Sequence, residues 1–516
     1  MKNRKNDVPK KIVIIGAGVS GLSSAIYGQK HGYITEIYEK NPVAGGLCTA
    51  WSRKGMNVDG CIHWLTGTLE GSEINHMWKD VGGFTPEQVI TSDNFGTVEC
   101  EGVPITLWCD LNKLEKELID ISPTDKKMIK KTIKLVLAFQ NLHLPIDVPL
   151  SEMSLWKLTK VGFSLLPYAF KFLYAKKKSN YKYSLKFKSP AIRFLLNHIV
   201  PGEGNLYTTL YAFGTVSVGN GGVLKGGSKT LINNMVHEYE SVGGKIHYNK
   251  EIDEIIINYN KVIGIRLKDG SIISADYVIA SCDSLETIKH LLKDKYLVKG
   301  FEKRIKMQEA YPTQSCVHIA FAVNEEKYRK LNITSTYEFP CEPFEAGISF
   351  QHSLRIRGYN YDQYFSKDGK TVLSALIFQS DHDYKYWDEL YKTKDIYKFK
   401  KEEIASSVME RIIKRFPTLK NNIEVVDIFT PKTLNRYTNA YHGAYMPFSF
   451  TSRGSMFNYN GKVKGAKNLY VSGQWCLMPG GLPIALMTGK WSIQRILKND
   501  KRWFEFTKPI KLKFSK

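Results

Sequence analysis

An α/β fold is predicted by three stretches of this sequence: an apolar strand that runs into spaced glycines, a meander of short strands mid-chain, and a late strand that ends in glycines before a helix. In the first, Ile12-Val13-Ile14-Ile15 leads into Gly16-x-Gly18-x-x-Gly21, a helix pattern follows, and a second strand ends at Glu39. Gly16 permits a tight turn, Gly18 lets a pyrophosphate approach the backbone, and Gly21 lets the helix pack on the strand. Val19 and Ser20 open that helix, whose N-terminus offers free N–H groups and the positive end of its dipole to a phosphate. Glu39 lies eighteen residues past Gly21, where a carboxylate holds an adenosine ribose. This is the pattern of a Rossmann-like dinucleotide-binding unit.

The other elements follow in chain order. Residues 90–150 read as a strand pair followed by helices. Asp110 is placed to cap a helix over Leu111–Ile121, and Lys126–Leu142 reads as another. From Met153 to Gly202 there is no Asp or Glu, but there are ten Lys or Arg interleaved with aromatic residues. On a helical wheel Leu155, Leu158, Gly162, Leu165, Ala169 and Phe172 share one face, and Lys157, Lys160, Ser164 and Lys171 the other. A kink is expected at Pro167, and Lys176-Lys177-Lys178 follows. Such a helix either packs on a core with its Lys face in water or lies on an anionic bilayer surface. Nucleic acid is set aside, since no recognised binding motif accompanies the charge.

After 221–228, Leu231, Met235, Val236 and Tyr239 mark a helix that ends at Gly243-Gly244. Strands are expected at Lys245–Tyr248, Ile252–Ile257 and Val262–Leu267, then a turn at Lys268-Asp269-Gly270 into Ile272–Ile273, and a buried strand at Asp276–Ala280. Residues 301–430 alternate strands and helices without motifs. The strand Asn468–Val471 ends in Ser472-Gly473-Gln474-Trp475, and Pro479-Gly480-Gly481-Leu482-Pro483 opens the last helix pattern.

Composition bounds the rest. A chain of 516 residues is long for one core, so two domains are expected. The net charge of +23 is partly a general Lys bias and partly the basic segment. Eight cysteines without a C-x-x-C pair suggest neither a disulfide framework nor a zinc site, and no metal cluster is visible. A cytoplasmic protein, peripherally associated with the membrane, is expected: Met1–Lys10 is polar and basic, unlike a secretory signal, and no uncharged apolar run reaches the ~18–20 residues of a span. Only one strand–GxGxxG–helix unit occurs, so no separate NAD(P)H domain is expected.

Glu39-x(5)-Gly45-Gly46 resembles a signature of FAD-binding flavoproteins of the glutathione-reductase fold. The runs GAGVSGLSSAIY (16–27), EKNPVAGG (39–46), VDGCIHW (58–64), LKGGSKTL (224–231), TPKTLNRYTNAYHGA (430–444) and GQWCLMPGGLP (473–483) together resemble the phytoene desaturase, carotenoid isomerase and retinol saturase superfamily of FAD-dependent oxidoreductases. The resemblance implies a glutathione-reductase-type FAD-binding domain in three parts, 1–90, 220–300 and 431–516. A mixed α+β substrate and membrane-side domain fills 91–219 and 301–430.

It implies that FAD is held by Gly16, Gly18, Val19, Ser20, Gly21, Glu39, Lys40, Gly45, Gly46 and Leu47, by the backbone of Ile252, and by Gly473, Gln474, Gly481, Leu482 and Pro483. The last helix would aim its N-terminus at the flavin ring. Many relatives have an acid at the place of Gln474, toward the ribityl or phosphate, and here that group is neutral. His63 is the candidate to lie near the flavin, with a structural hydrogen-bonding role as the alternative. Arg436 and Tyr437 are candidates to line the cavity near the ring.

The implied activity is desaturation, saturation or isomerisation of an apolar unsaturated lipid of carotenoid, retinoid or fatty-acid type, with an unknown electron donor or acceptor. Two other readings stand beside it: a flavin amine oxidase on the same fold, and a flavin-free escort protein similar to the Rab GDP-dissociation inhibitors.

Overall fold

A computed structural model describes residues 9–140, 146–199, 204–296, 298–333, 335–449 and 451–502. Residues 1–8 of the expected basic tail, and the last two residues of the helix expected over Lys126–Leu142, lie outside them.

The first apolar strand, Lys11–Ile15, is buried on both faces, which is why it reads as an unbroken hydrophobic run. It is the central strand of a five-stranded parallel sheet ordered Leu469–Val471, Tyr277–Ala280, Lys11–Ile15, Ile34–Tyr38, Lys245–His247. Three stretches far apart in sequence therefore meet in one sheet. The helices Val19–Lys30 and Leu482–Asn499 pack side by side on it. A Cβ on Gly489 would lie 2.6 Å from the Ser20 carbonyl oxygen, so glycine sets that approach. The antiparallel meander Ile252–Asn258, Lys261–Leu267, Ile272–Ser274 flanks the sheet.

A second, eight-stranded sheet runs Ile423–Phe429, Ser315–Asn324, Lys370–Gln379, Ser349–Gly358, Thr336–Ala346, Asn94–Cys100, Val103–Trp108, with the short strand Ser366–Lys367 attached to Lys370–Gln379. Helices from residues 111–140 and 180–216 form a core with Val98, Ile105 and Leu107 of this sheet, and the helix Lys394–Arg415 packs elsewhere against it. Asp110 accepts from the backbone N–H of Asn112 (2.8 Å) and Lys113 (3.2 Å), the cap expected for Leu111–Ile121.

The basic segment departs from expectation in how it is covered. One helix, Leu155–Lys176, runs through Pro167, and Ser154 caps its start. Phe172 packs on Tyr207 of the helix Leu206–Val216, ring centroids 4.9 Å apart. Of the expected apolar stripe, however, Leu155, Leu158 and Gly162 are exposed, and Ala175 is the helix's one buried residue. A second row, Trp156, Phe163, Leu166, Phe170 and Leu173, points outward; Trp156 is 78% and Phe170 82% exposed. The physical reason is that neighbouring helices cover only the C-terminal half of one side.

Candidate functional site

The first part of the site is a cradle of glycine turns. Gly16, with φ +95°, donates its N–H to the Tyr38 carbonyl at 2.9 Å and turns the chain off the sheet. A Cβ on Gly21 would sit 1.9 Å from the Gly16 oxygen, so the helix reaches the strand only without one. Gly18 is different. Its φ is −76°, and the nearest atom to a Cβ there is the Gly45 oxygen at 3.7 Å. Neither strain nor crowding within the protein demands glycine at this position, and the backbone there is left open to the approach of a ligand. The second glycine turn closes the cradle: the Gly45 N–H donates to the Ala17 carbonyl at 3.0 Å, and a Cβ on Gly46 would meet the Gly18 Cα at 3.7 Å.

Glu39 is buried beside these turns. Its Oε2 accepts from the Ala17 N–H (2.8 Å), and its Oε1 from the Asn41 N–H (2.9 Å) and Nδ2 (2.8 Å). The carboxyl group is thus fixed in place, and acceptor capacity remains on Oε2 for a ribose hydroxyl. The Lys250 N–H donates to the Glu39 carbonyl at 2.8 Å, bringing the strand that Ile252 opens against the same edge. Leu47 is half-buried beyond Gly46.

The C-terminal turn joins the cradle through serines. Ser20 Oγ donates to Ser472 Oγ at 2.8 Å, and Ser281 Oγ lies 2.8 Å from the same atom. Gly473 donates its N–H to Thr488 Oγ1 at 2.9 Å. Gly481, with φ +88°, precedes the closing helix, and Leu482 and Pro483 form its first turn. Gln474 bridges this corner: its Nε2 donates to the Tyr445 carbonyl (3.0 Å) and its Oε1 accepts from the Gly481 N–H (3.1 Å). The amide that the resemblance assigns to the ribityl or phosphate is engaged at both ends in holding the start of the helix.

Arg436 and Tyr437, the candidates to line the cavity near the ring, meet the residues that follow Glu39. The Arg436 carbonyl accepts from Lys40 Nζ at 3.2 Å, and the Tyr437 carbonyl accepts from Asn41 Nδ2 at 2.9 Å. Both therefore sit at the Glu39 end of the cradle, with Tyr437 half exposed and Arg436 stacked on its ring at 4.6 Å. Neither lines the cavity described next.

That cavity, about 460 Å³, lies over one face of the eight-stranded sheet. His63 lines it, together with the apolar groups of Trp64, Phe95, Val98, Leu107, Ile199 and Val216. Thr91, Ser92 and Asp93 line it where they are exposed, which marks its mouth. Burial, with the Arg357 and Arg355 charges behind it, holds the His63 imidazole well below its usual range, so the ring is neutral.

Two rows cross the cavity floor in strand register: Ser374, Arg357 and Thr336, then Leu376, Arg355 and Glu338. Arg355 pairs with Glu338 at 2.6 Å. These charges were not singled out by sequence reasoning. Their signal was the alternation Leu354-Arg355-Ile356-Arg357, two cations in step within an apolar strand. The run containing His63 is anchored by Asp59, which accepts from the Ser228 N–H and Oγ (both 2.7 Å) and from the Cys61 N–H (2.9 Å). VDGCIHW and LKGGSKTL thus meet at one carboxylate.

Comparison with known proteins agrees with this geometry. Residues 14–81 match the NAD(P)-binding Rossmann-like domain, and residues 162–497, more than half of the chain, match the flavin containing amine oxidoreductase family. The chain is similar to the lycopene-forming phytoene desaturase of Paracoccus sp. (strain N81106 / MBIC 01143), 22% identical over 518 residues that cover 96% of this chain and 99% of the relative. It is similar to the all-trans-retinol 13,14-reductase of Danio rerio, 21% identical over 94% of this chain and 86% of that protein. The solved structure of an oxidoreductase from Methanosarcina mazei shares the fold, with TM-score 0.58 and 19% identity over 95% of this chain and 100% of that one.

The two apposed glycine turns, the fixed Glu39 and the glycine-led closing helix fit FAD, which is the cofactor. The chain is an FAD-dependent oxidoreductase and belongs to the flavin containing amine oxidoreductase family.

Proposed function

We propose that the enzyme acts on a carbon–carbon bond of an unsaturated lipid, by desaturation, saturation or cis–trans isomerisation. The observation that carries this is the cavity. Its walls are largely apolar, with Asn94, Thr97 and His198 among them, and its floor carries Arg355 and Arg357, with the one floor carboxylate, Glu338, already paired. An amine substrate enters as a cation and is repelled by that floor, which speaks against the amine oxidase reading. The names of the desaturase and retinol reductase relatives support the same substrate class.

FAD, when bound, supplies hydride acceptance and donation. The chain's own residues orient the reaction. The positive end of the closing helix lies behind the Gly480-Gly481 turn, where it favours negative charge on its neighbour. Gln474 fixes that turn, and neutral His63 offers one nitrogen donor and one acceptor inside the cavity. Arg436 and Tyr437 belong to the nucleotide end. The proposed division remains 1–90, 220–300 and 431–516 for FAD, and 91–219 and 301–430 for substrate.

The outward row on Leu155–Lys176 supports peripheral attachment to an anionic membrane, from which an apolar substrate is taken. Among the described residues no helix is long and apolar enough to cross a membrane. The test is incubation of membrane lipid extract with photoreduced and with oxidised holoenzyme. Products shifted by two hydrogens, or isomers of unchanged mass, support the reading. An unchanged lipid profile alongside turnover of amines overturns it.

A further inference from the structure

Arg357 is 5% exposed, yet among the described residues no carboxylate lies within ion-pair distance of it. Its Nη1 donates to the Ile62 carbonyl at 2.6 Å and its Nη2 to Tyr361 Oη at 3.1 Å, and its guanidinium stacks on Tyr359 at 4.8 Å. A guanidinium has five N–H donors, so three are not used by these bonds. Arg355, two residues earlier on the same face, is neutralised by Glu338, which makes the contrast local. Asp59 is the acid whose field reaches Arg357, but its oxygens already accept from Ser228, Cys61 and Ile62. A buried ion without a counter-charge is costly, so a carboxylate delivered to Arg357 would relieve that cost. The register flanks Arg357 with the hydroxyl-bearing Ser374 and Thr336, all lining the cavity.

We propose that the substrate is an unsaturated lipid ending in a carboxylate, held end-on at Arg357 on the cavity floor with its apolar chain running back toward the mouth at Thr91–Asp93. This rests on the reading of the cavity as the lipid site. The anchor fixes how far each carbon lies from the acid end, so the reacting bond is counted from the carboxylate. A neutral hydrocarbon has no such register.

The test compares oleic acid, methyl oleate and squalene as probes of the holoenzyme, following equilibrium binding by perturbation of the flavin absorption. Wild type should bind oleate about 10- to 100-fold more tightly than its methyl ester, the span expected for a charge-assisted hydrogen-bonded pair. Arg357→Gln should remove that preference with flavin still bound, while Arg357→Lys should keep part of it. Equal binding of acid and ester by wild type overturns the proposal without any variant having to fold. So does an equal loss for both probes in Arg357→Gln. Binding of squalene but not oleate removes the carboxylate assignment and leaves the lipid reading standing. Binding of none of the three removes both.

Discussion

At the scale of single residues, the three glycines of the first turn separate folding from binding. Gly21→Ala places a methyl 1.9 Å from the Gly16 oxygen and should destabilise the protein by ~1–3 kcal/mol or more, read as a fall in the urea midpoint. Gly18→Ala meets nothing closer than 3.7 Å, so stability of the FAD-free protein should be unchanged while FAD binds at least about tenfold more weakly. Equal losses of stability in both variants would show that Gly18 is a packing residue.

Asp283 gives a pH signature. It accepts from the N–H groups of Leu285, Glu286 and Tyr441, but burial outweighs these bonds and pushes its carboxyl up to about 6. A raised carboxylate favours the folded state when protonated. Its contribution is therefore complete below the unfolded value near 4 and is lost as pH rises through about 6, amounting to about 3 kcal/mol. Urea unfolding of Asp283→Ser should show a flatter pH dependence than wild type across that window.

The glycine turns and Glu39 were legible in the sequence because all of them fall in the single run 11–46, where the spacing along the chain fixes which groups meet. Arg357 was not, because its isolation depends on Glu338 choosing Arg355 across a hairpin. The docking of Arg436 and Tyr437 on Lys40 and Asn41 was not legible either, because a motif fixes which residues occur together, not where the loop carrying them docks.

At the scale of elements, the helix Leu155–Lys176 shows how far periodicity reaches. Hydrophobic spacing located the helix, and its observed start at Leu155 agrees with the first residue of the pattern. It did not tell which apolar row is covered, since that depends on the neighbours Lys126–Gln140 and Leu206–Val216, which abut only part of it. The uncovered row makes a direct prediction. Replacing Trp156, Phe163 and Phe170 together with serine should abolish flotation on anionic liposomes, since each large side chain contributes up to ~1.5–3 kcal/mol when buried in the interface. Replacing Lys176, Lys177 and Lys178 with Glu should weaken flotation in a salt-dependent way. Flavin content should stay constant in both variants; its loss would make the row part of a protein core.

At the scale of the whole molecule, the parallel sheet was the most legible feature, since its strands are short and mostly apolar and the first of them runs directly into Gly16. The eight-stranded sheet was visible only as alternating segments, because antiparallel pairing across long insertions leaves no local signature. The Ser20–Ser472–Ser281 cluster carries a consequence for how the enzyme is made. The cofactor cradle is opened by residues 11–47 and closed by residues 469–490, with the strand Leu469–Val471 at one edge of the sheet. During synthesis the two halves exist together only after the last of these has left the ribosome. Cofactor capture then waits for residues 469–490, and a chain stopped before them lacks one wall of the cradle. Nascent chains stalled so that residue 465 has just emerged should hold no flavin, and chains released to residue 502 should. Retention by the shorter chain would show that the N-terminal turn suffices. Otherwise the vitamin-derived cofactor serves as a clasp between strands that the chain makes far apart.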